Sequence, residues 1–353
     1  MLACEDGNAQ ESRGFAHFPH SFSQKLMTTI YVAQPQTELK IQSRQLQVFH
    51  QQRFCFAVPL NRISQMVILG QQPWTRKAAN LVLSLHIPVL YFEPDGRCVE
   101  YLNPGTLEPA KYLNVQMQRA QDSNFTHTTA ESLVRAKLHN ARVLLLQLGG
   151  ASQPATVQQV LNLLQRLMDD LPMASSLIAL KSYESTGAAF YRAALSRLLP
   201  EEFRNRNQGL NPIQRLNNLG TALLSQRIQT VLQSVGLDLD IANLHFDAVN
   251  RQPLVCDFLS EFQGAIADRL VMELLQSRQI VPDDFIWVNQ GVFLEPSALE
   301  RFVQHWDATL SSRVEYLYAG EISYQQCLEV QAQEYIDCLL EDQEFYRPML
   351  LKG

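Results

Sequence analysis

The spacing of apolar residues along the chain follows two different patterns, and the change from one to the other divides the chain into two parts. From Thr28 to about Leu102, short runs are either wholly apolar or alternate polar and apolar residues, as β-strands do. Residues 75–86 interrupt this series with apolar residues at helical spacing, and proline, aspartate and glycine at 94–96 predict a turn. We therefore predict a small N-terminal β domain, residues 27–104, that carries one helix.

After Pro104 the period lengthens to that of amphipathic helices and stays so almost to the end of the sequence. Six segments have helix length and few glycines or prolines; they are residues 112–122, 130–148, 155–168, 173–199, 212–232 and 262–277. The stretch 241–256 breaks the pattern and indicates a loop or hairpin. The predicted fold class is α+β, in which the small N-terminal β domain is followed by a larger all-α C-terminal domain, residues 105–353.

The first and last stretches of the sequence have patterns of their own. Residues 1–26 combine glycine and proline with little periodicity, which predicts a flexible leader. Residues 321–344 contain seven acidic and no basic residues among spaced apolar ones, which predicts an acidic amphipathic helix. Two interpretations of this helix are open. It packs on its own domain with a solvated acidic face, or it shields a basic surface or docks on a partner.

Composition narrows the class of protein. The 353 residues carry a net charge of −6, so any nucleic acid must be bound through local basic patches. The hydrophobic content of 46% is enough for a sizeable core and argues against disorder. The six cysteines form no Cys-x-x-Cys pair, which favours reduced thiols over structural zinc or disulfides. No apolar run approaches the ~18 residues of a membrane span, so we expect a cytoplasmic protein with no membrane partner.

One segment departs from the acidic balance of the whole chain. Between residues 192 and 227 there are only two glutamates and six arginines, which are Arg192, Arg197, Arg204, Arg206, Arg215 and Arg227. A local basic excess suits a polyanion such as DNA, and the alternative is an ordinary solvated loop. The candidate DNA-binding residues are Arg192, Arg204, Arg206 and Arg215.

One histidine and three carboxylates stand in patterns that suit metal chemistry. Glu184 lies in an apolar helical segment, where an unpaired charge is costly to bury, and His245 follows a leucine. Asp257 and Glu261 are four residues apart and share one helix face. One imidazole with carboxylates suits Mg²⁺ or Mn²⁺, which can activate a water or hydroxyl and neutralise a phosphodiester. Singly, each residue has an ordinary alternative, as a structural histidine or a solvated helix carboxylate.

Together these patterns resemble one family, the CRISPR-associated endonuclease and integrase of the spacer-acquisition module, also called "Cas one". The motifs that carry the resemblance lie within roughly residues 28–310; they are Lys137 to Arg142, Glu184 to Tyr191, Gly236 to His245, and Asp257 to Val271. The resemblance implies a β domain followed by a helical catalytic domain. It also implies that Glu184 and His245 hold a metal ion together with an acidic residue three positions after Asp257.

That third position is Ser260 in this sequence, and a hydroxyl is a poorer ligand for a hard cation than a carboxylate. Glu261, one position later, and Asp257, one turn earlier, are the candidates to complete the site. We therefore predict Glu184, His245, Asp257 and Glu261 as catalytic residues, and Glu184, His245 and Glu261 as ligands of Mg²⁺ or Mn²⁺. If neither candidate reaches the metal, its binding weakens sharply.

The resemblance also implies partners and a reaction. Members of the family form homodimers and assemble with a small ferredoxin-like second adaptation protein. The assembly carries a short DNA duplex and joins its 3′ ends to a repeat array by transesterification, which needs in-line positioning and stabilisation of developing charge. Two functions follow. The chain is a metal-dependent DNA endonuclease and integrase that inserts spacers in antiviral defence, or a catalytically weakened member that binds DNA and partners as a scaffold.

Overall fold

The structure is a computed structural model. It describes residues 28–32, 37–69, 80–82, 84–85, 87–92, 98–102, 110–150, 154–204, 211–248, 252–288, 291–316, 319–341 and 343–353. The predicted leader, residues 1–26, lies outside the described residues. Of the helix predicted at 75–86, residues 80–82, 84 and 85 are described; 80–82 and 84 are helical and 85 is a turn.

Two small sheets form the N-terminal part. The first is mixed, in the order β1-β5-β6-β7, and consists of β1 (Thr28–Val32), β5 (Ile63–Leu69), β6 (Val89–Phe92) and β7 (Cys98–Leu102). Its first three strands are parallel and β7 is antiparallel. The second sheet is an antiparallel meander of β2 (Thr37–Gln42), β3 (Gln45–His50) and β4 (Arg53–Pro59). The predicted β domain is therefore present.

The mixed sheet buries both of its faces. Met66 and Ile68 join residues of the second sheet in one apolar cluster, whereas Val67, Leu90 and Phe92 belong to the core of the helical part. Successive side chains of a strand point to opposite faces, and a strand buried on both faces is therefore continuously apolar. This explains the unbroken apolar run at 66–69, and it makes the two parts of the molecule share a core.

The remainder of the described chain is mostly helical, which confirms the predicted fold class. Its helices are α1 (Leu113–Ala120), α2 (Ser123–Gly149), α3 (Ala155–Asp170), α4 (Leu177–Leu198), α5 (Glu201–Arg204), α6 (Pro212–Ser234), α7 (Pro253–Phe262), α8 (Arg269–Gln276), α9 (Pro296–Ser311) and α10 (Tyr324–Leu339). A π-helical turn, Gln263–Asp268, joins α7 to α8. Side-chain caps start the three longest helices: Asp122 accepts from the backbone of α2, Ser176 from that of α4, and Asn211 from that of α6, where Pro212 takes the first position.

Among the described residues, two antiparallel strand pairs interrupt the helices, and neither was predicted from the sequence, which indicated an all-α domain. They pair β8 (Phe285–Val288) with β9 (Gly291–Leu294), and β10 (Arg313–Tyr316) with β11 (Gly320–Ser323). Strands of four residues are too short for a two-residue period to stand out from a helical pattern. The domain is mostly helical rather than all-α.

The acidic helix predicted at 321–344 is shorter in the structure, because residues up to Ser323 belong to β11 and the helix α10 ends at Leu339. Much of α10 is buried, and its Glu334, 7% exposed, accepts two hydrogen bonds from Arg347 at 2.6 and 2.8 Å. The helix thus packs on its own domain, as the first interpretation expected. The C-terminal segment, residues 343–353, then returns along the helical core and buries Tyr346, Met349 and Leu351 there.

Within the described part of the chain, no helix is both long and apolar enough to cross a lipid bilayer.

Candidate active site

Glu184 and His245 meet inside the helical part, although they are far apart in sequence. Glu184 lies on α4 with only 7% of its surface exposed, and His245 lies in the loop between α6 and α7. The Nε2 atom of His245 is 3.3 Å from Oε1 of Glu184. Lys137 of α2 donates to the same oxygen from 2.6 Å. Three separate segments thus converge on one carboxylate.

A glycine allows α2 and α4 to approach this closely. A Cβ atom at Gly187 would lie 2.1 Å from Cδ2 of Leu138, far inside van der Waals contact. Leu138 is itself fully buried, so it has little room to retreat. Gly187 therefore allows the short distance between α2 and α4 that brings Lys137 to Glu184.

Asp257 holds the loop that carries His245. Its Oδ2 accepts from the backbone N–H groups of Asn243 and Leu244 at 2.7 and 3.2 Å. Its Oδ1 accepts from the backbone N–H of His245, and it also lies 2.9 Å from Nδ1 of that residue. Since Nδ1 faces Asp257, the other ring nitrogen faces Glu184. Asp257 belongs to the site as a residue that orients the histidine.

Ser260 reaches Glu184 whereas Glu261 does not. The Ser260 hydroxyl donates to Oε1 of Glu184 at 3.2 Å. Glu261 accepts from the Tyr346 hydroxyl and, at 2.9 Å, from the backbone N–H of Met349. Neighbouring residues on a helix point roughly 100° apart, so α7 cannot present both side chains to the same point. The expectation that Glu261 shares a site with Glu184 and His245 is corrected, because the C-terminal segment holds its carboxylate.

Burial determines the protonation of Glu261. The residue is fully buried, which raises its pKa to about 8 although the Tyr346 hydroxyl and the Met349 N–H oppose the shift. A carboxyl with that pKa is largely protonated at neutral pH. Glu261 therefore serves as a buried anchor for the C-terminal segment, next to the site but directed away from it.

The groups that do meet stabilise one another's charged forms. Burial raises the pKa of Glu184, but the hydrogen bond from His245 and the charge of Lys137 outweigh this effect and lower it to about 2. Burial lowers the pKa of His245, but its hydrogen bonds to Asp257 and Glu184 raise it to about 9. At neutral pH the site is therefore a chain of alternating charges, in the order Lys137, Glu184, His245 and Asp257.

These residues fit a divalent cation poorly. Of the three predicted ligands only Glu184 and His245 meet, and among the described residues no group of three or more His, Cys, Asp or Glu is placed to hold a metal. The Lys137 ammonium already occupies one carboxylate oxygen. The imidazole must also lose its proton before it can bind a metal. Binding of Mg²⁺ or Mn²⁺ stays a prediction, and the structure brings together two of its three predicted ligands.

The predicted DNA-binding arginines are spread over several elements. Arg192 is exposed on α4, the helix of Glu184. Arg204 is exposed at the end of α5, where its Nε donates to the carbonyl of Leu199 at 2.7 Å. Arg215 is partly buried near the start of α6, and Arg206 lies outside the described residues. A role of these four residues in DNA binding stays a prediction.

Two further residues lie beside the site and were not predicted from the sequence. Lys181 precedes Glu184 by one turn of α4, and Phe246 directly follows His245. The Nζ atom of Lys181 lies 4.2 Å from the centre of the Phe246 ring. The available signal was the spacing of three between Lys181 and Glu184, which places both on one helix face.

Comparison with known proteins identifies the family. The family model described as CRISPR associated protein Cas1 matches residues 30–308. This chain belongs to the Cas1 family. Among its relatives is the CRISPR-associated endonuclease Cas1 3 of Thermus thermophilus, which is 26% identical over 299 residues, covering 83% of this chain and 88% of that protein.

Two solved structures share the fold of this Cas1 chain. A casposase bound to an integration product aligns with a TM-score of 0.72 and 19% identity, over 90% of this chain and 92% of its own. A Cas6-RT-Cas1–Cas2 complex aligns with a TM-score of 0.76 and 21% identity, over 95% of this chain. The match spans only 38% of the longer chain in that complex. At these identities the structures show a shared fold.

Proposed function

We propose that this chain is a DNA-binding member of the Cas1 family in CRISPR adaptation, with a weakened endonuclease and integrase centre. Its family and a relative named as an endonuclease support the DNA-handling role, as does the fold it shares with a casposase bound to an integration product. One observation carries the weakening. Glu184 meets Lys137 and Ser260, Asp257 bonds His245 and its loop, and Glu261 bonds the C-terminal segment.

The charge balance of the site is compatible with bound DNA without a metal. A cluster of unneutralised carboxylates repels a phosphodiester, and a divalent cation normally offsets that repulsion. Here Lys137 and His245 balance the charges of Glu184 and Asp257. In this proposal the four residues form a neutral, rigid network that holds α2, α4 and the His245 loop together beneath the DNA.

The second candidate function is the fully active one, a metal-dependent endonuclease and integrase that inserts spacers by transesterification. The observation in its favour is the convergence of Glu184 and His245 within 3.3 Å. In that case these two residues would hold Mg²⁺ or Mn²⁺, which would neutralise the charge that develops on the phosphodiester. It also requires that Lys137 leave Glu184 and that His245 lose its proton.

We also propose the partners that the family suggests. They are a DNA duplex and repeat array, a second copy of the chain, and a small ferredoxin-like second adaptation protein. One structural neighbour is a complex in which Cas1 and Cas2 occur together. Light scattering on the purified protein, alone and mixed with the small partner, tests both assemblies; a monomer in both samples contradicts them.

Strand transfer into a repeat-containing plasmid distinguishes the two functions. The natural protein with its small partner and Mn²⁺ is expected to bind DNA equally well with and without chelator, and to give little strand transfer. Ser260→Asp is expected to raise strand transfer by at least tenfold, because it supplies the carboxylate that a hard cation prefers. Substantial natural activity that disappears in Glu184→Ala would instead support the fully active enzyme.

A matched variant controls for added negative charge. Ser185 lies beside Glu184 on α4 but is exposed, whereas Ser260 is 4% exposed and donates to Glu184. Ser185→Asp adds the same charge outside the network. We expect no gain of strand transfer in that variant, and an equal gain in both variants would show that charge rather than ligand geometry is responsible.

A further inference from the structure

We propose that Phe246, held by Lys181, is a stacking platform for an unpaired nucleobase of a DNA end beside the Glu184–His245 site. The inference rests on the proposed DNA-binding function. It goes further by naming the residue that holds a base of that DNA end. Neither residue belongs to the charge network described above.

The first observation is that the aromatic side chain of Phe246 is exposed beside a buried site. Phe246 is 54% exposed, although it directly follows His245, which is largely buried against Glu184. On the neighbouring helix α4, Ile178 is 77% exposed one turn before Lys181. Exposed apolar side chains gathered at the edge of a polar site are typical of binding surfaces. Phe246 is thus an exposed aromatic ring directly beside a buried polar site.

The second observation is that a cation fixes the ring. Lys181 places its ammonium 4.2 Å from the centre of the Phe246 ring, within the range of a cation–π contact. Over half of the residue nevertheless remains accessible. A ring held on one side and open on the other offers a preorganised face, which lowers the entropic cost of stacking a base.

The third observation is a replaceable ion pair. Lys181 also pairs with Asp247, and the Asp247 side chain is mostly exposed. Because the Asp247 side chain is 66% exposed, water screens the pair and its contribution is small. Another anion can therefore replace the aspartate at low cost. A DNA phosphate is such an anion, and it accompanies each base. Lys181 thus offers a phosphate contact at the edge of the platform that stacks the base.

Position connects the platform to the site. Lys181 contacts the Phe246 ring and Glu184 contacts the His245 imidazole. The two contacting residues lie three positions apart on α4, which is a rise of about 4.5 Å along the helix, so the ring lies beside the site. A strand end that reaches His245 therefore brings a base past Phe246. Inside a duplex each base is stacked on both sides, and the end pair offers only its outer face. A base of an unpaired extension is free to turn and place its face on the ring.

DNA affinity measured by fluorescence anisotropy tests this on the full-length protein. The probes are a blunt duplex, the same duplex with an unpaired 3′ extension, and one whose extension lacks bases. The natural protein is expected to prefer the extension that carries bases. Phe246→Ala is expected to lose that preference by roughly 5- to 100-fold, while Phe246→Trp keeps it. Phe190→Ala, which changes an exposed phenylalanine on α4, is the matched control and is expected to behave as the natural protein does.

Three outcomes would overturn the inference while leaving DNA binding intact. They are equal affinity of the natural protein for all three probes, equal affinity for the two extended probes, and an unchanged preference in Phe246→Ala. If the natural protein binds none of the probes, the proposed function itself fails. Because Phe246 is exposed, its substitution is not expected to impair folding, and an unchanged circular dichroism spectrum checks that.

Discussion

His245 is held on two sides by carboxylates, and this arrangement determines its chemistry. Asp257 lies at Nδ1 and Glu184 at Nε2, and their hydrogen bonds raise the pKa of the imidazole to about 9 despite its burial. A histidine with this pKa is a cation throughout the physiological range, whereas an ordinary one is mostly neutral. The residue therefore acts as a fixed positive charge in the absence of a competing metal.

The raised pKa predicts a pH-dependent contribution of His245 to stability. The folded value lies above the unfolded value of about 6.5, so the contribution is fully present below pH 6.5 and is lost as pH rises through about 9. We expect His245→Gln to destabilise the protein by roughly 3 kcal/mol at pH 6. The difference should shrink towards pH 10, as measured by urea denaturation. A difference that does not change with pH would contradict the charged state of His245.

The candidate residues of this site were predictable from the sequence to different degrees. Glu184 and His245 were chosen from local motifs, and the structure brings both together with Asp257. Glu261 was chosen because it is one position from Ser260. Its direction depends on Tyr346 and Met349, far along the chain, and local patterns carry no information about such distant partners.

At the scale of elements, the contact between α2 and α4 positions the charge network. Lys137 and Leu138 are adjacent on α2; the first reaches Glu184 and the second packs against Gly187. The same crossing therefore supplies both the ion pair and the tight packing beneath it. The sequence predicted the two helices from their period, but the distance between them depends on Gly187, whose effect becomes visible only once its neighbour is known.

Gly187→Ala tests this crossing. Alanine favours a helix over glycine by about 1 kcal/mol, but its Cβ would clash with fully buried Leu138, and overpacking costs about 1–3 kcal/mol. We expect net destabilisation by about 1 kcal/mol, measured by thermal denaturation. The double variant Gly187→Ala, Leu138→Ala should lose less than the sum of the two single changes, because the second change removes the clashing methyl groups. Strict additivity would contradict the proposed clash.

At the scale of the whole molecule, the mixed sheet joins the two parts into one core. Phe92 lies on β6 in the N-terminal part, yet it packs into the helical core and is 1% exposed. A sequence pattern identifies such a strand as buried without showing what covers each face. The predicted boundary near residue 104 describes a change in pattern, and the apolar contacts continue across it.

Phe92→Ala is therefore expected to destabilise both parts together. Large-to-small changes of a buried phenylalanine cost about 3–5 kcal/mol. We expect a single unfolding transition at lower temperature, seen alike by calorimetry and by circular dichroism. Phe56→Ala, at a position 44% exposed on β4, should cost far less. Two separate transitions in the Phe92 variant would show that the parts unfold independently.

The two-faced sheet has a consequence for how the protein is made. Synthesis proceeds from the N-terminus, so β1, β5 and β6 leave the ribosome before the helices that cover Val67, Leu90 and Phe92. Helix α6, which contacts β7, follows β6 by roughly a hundred residues, which takes on the order of ten seconds at ordinary translation rates. Until its covering helices are made, the nascent sheet presents a bare apolar face, the kind of surface that makes an incomplete chain prone to aggregate and that chaperones cover.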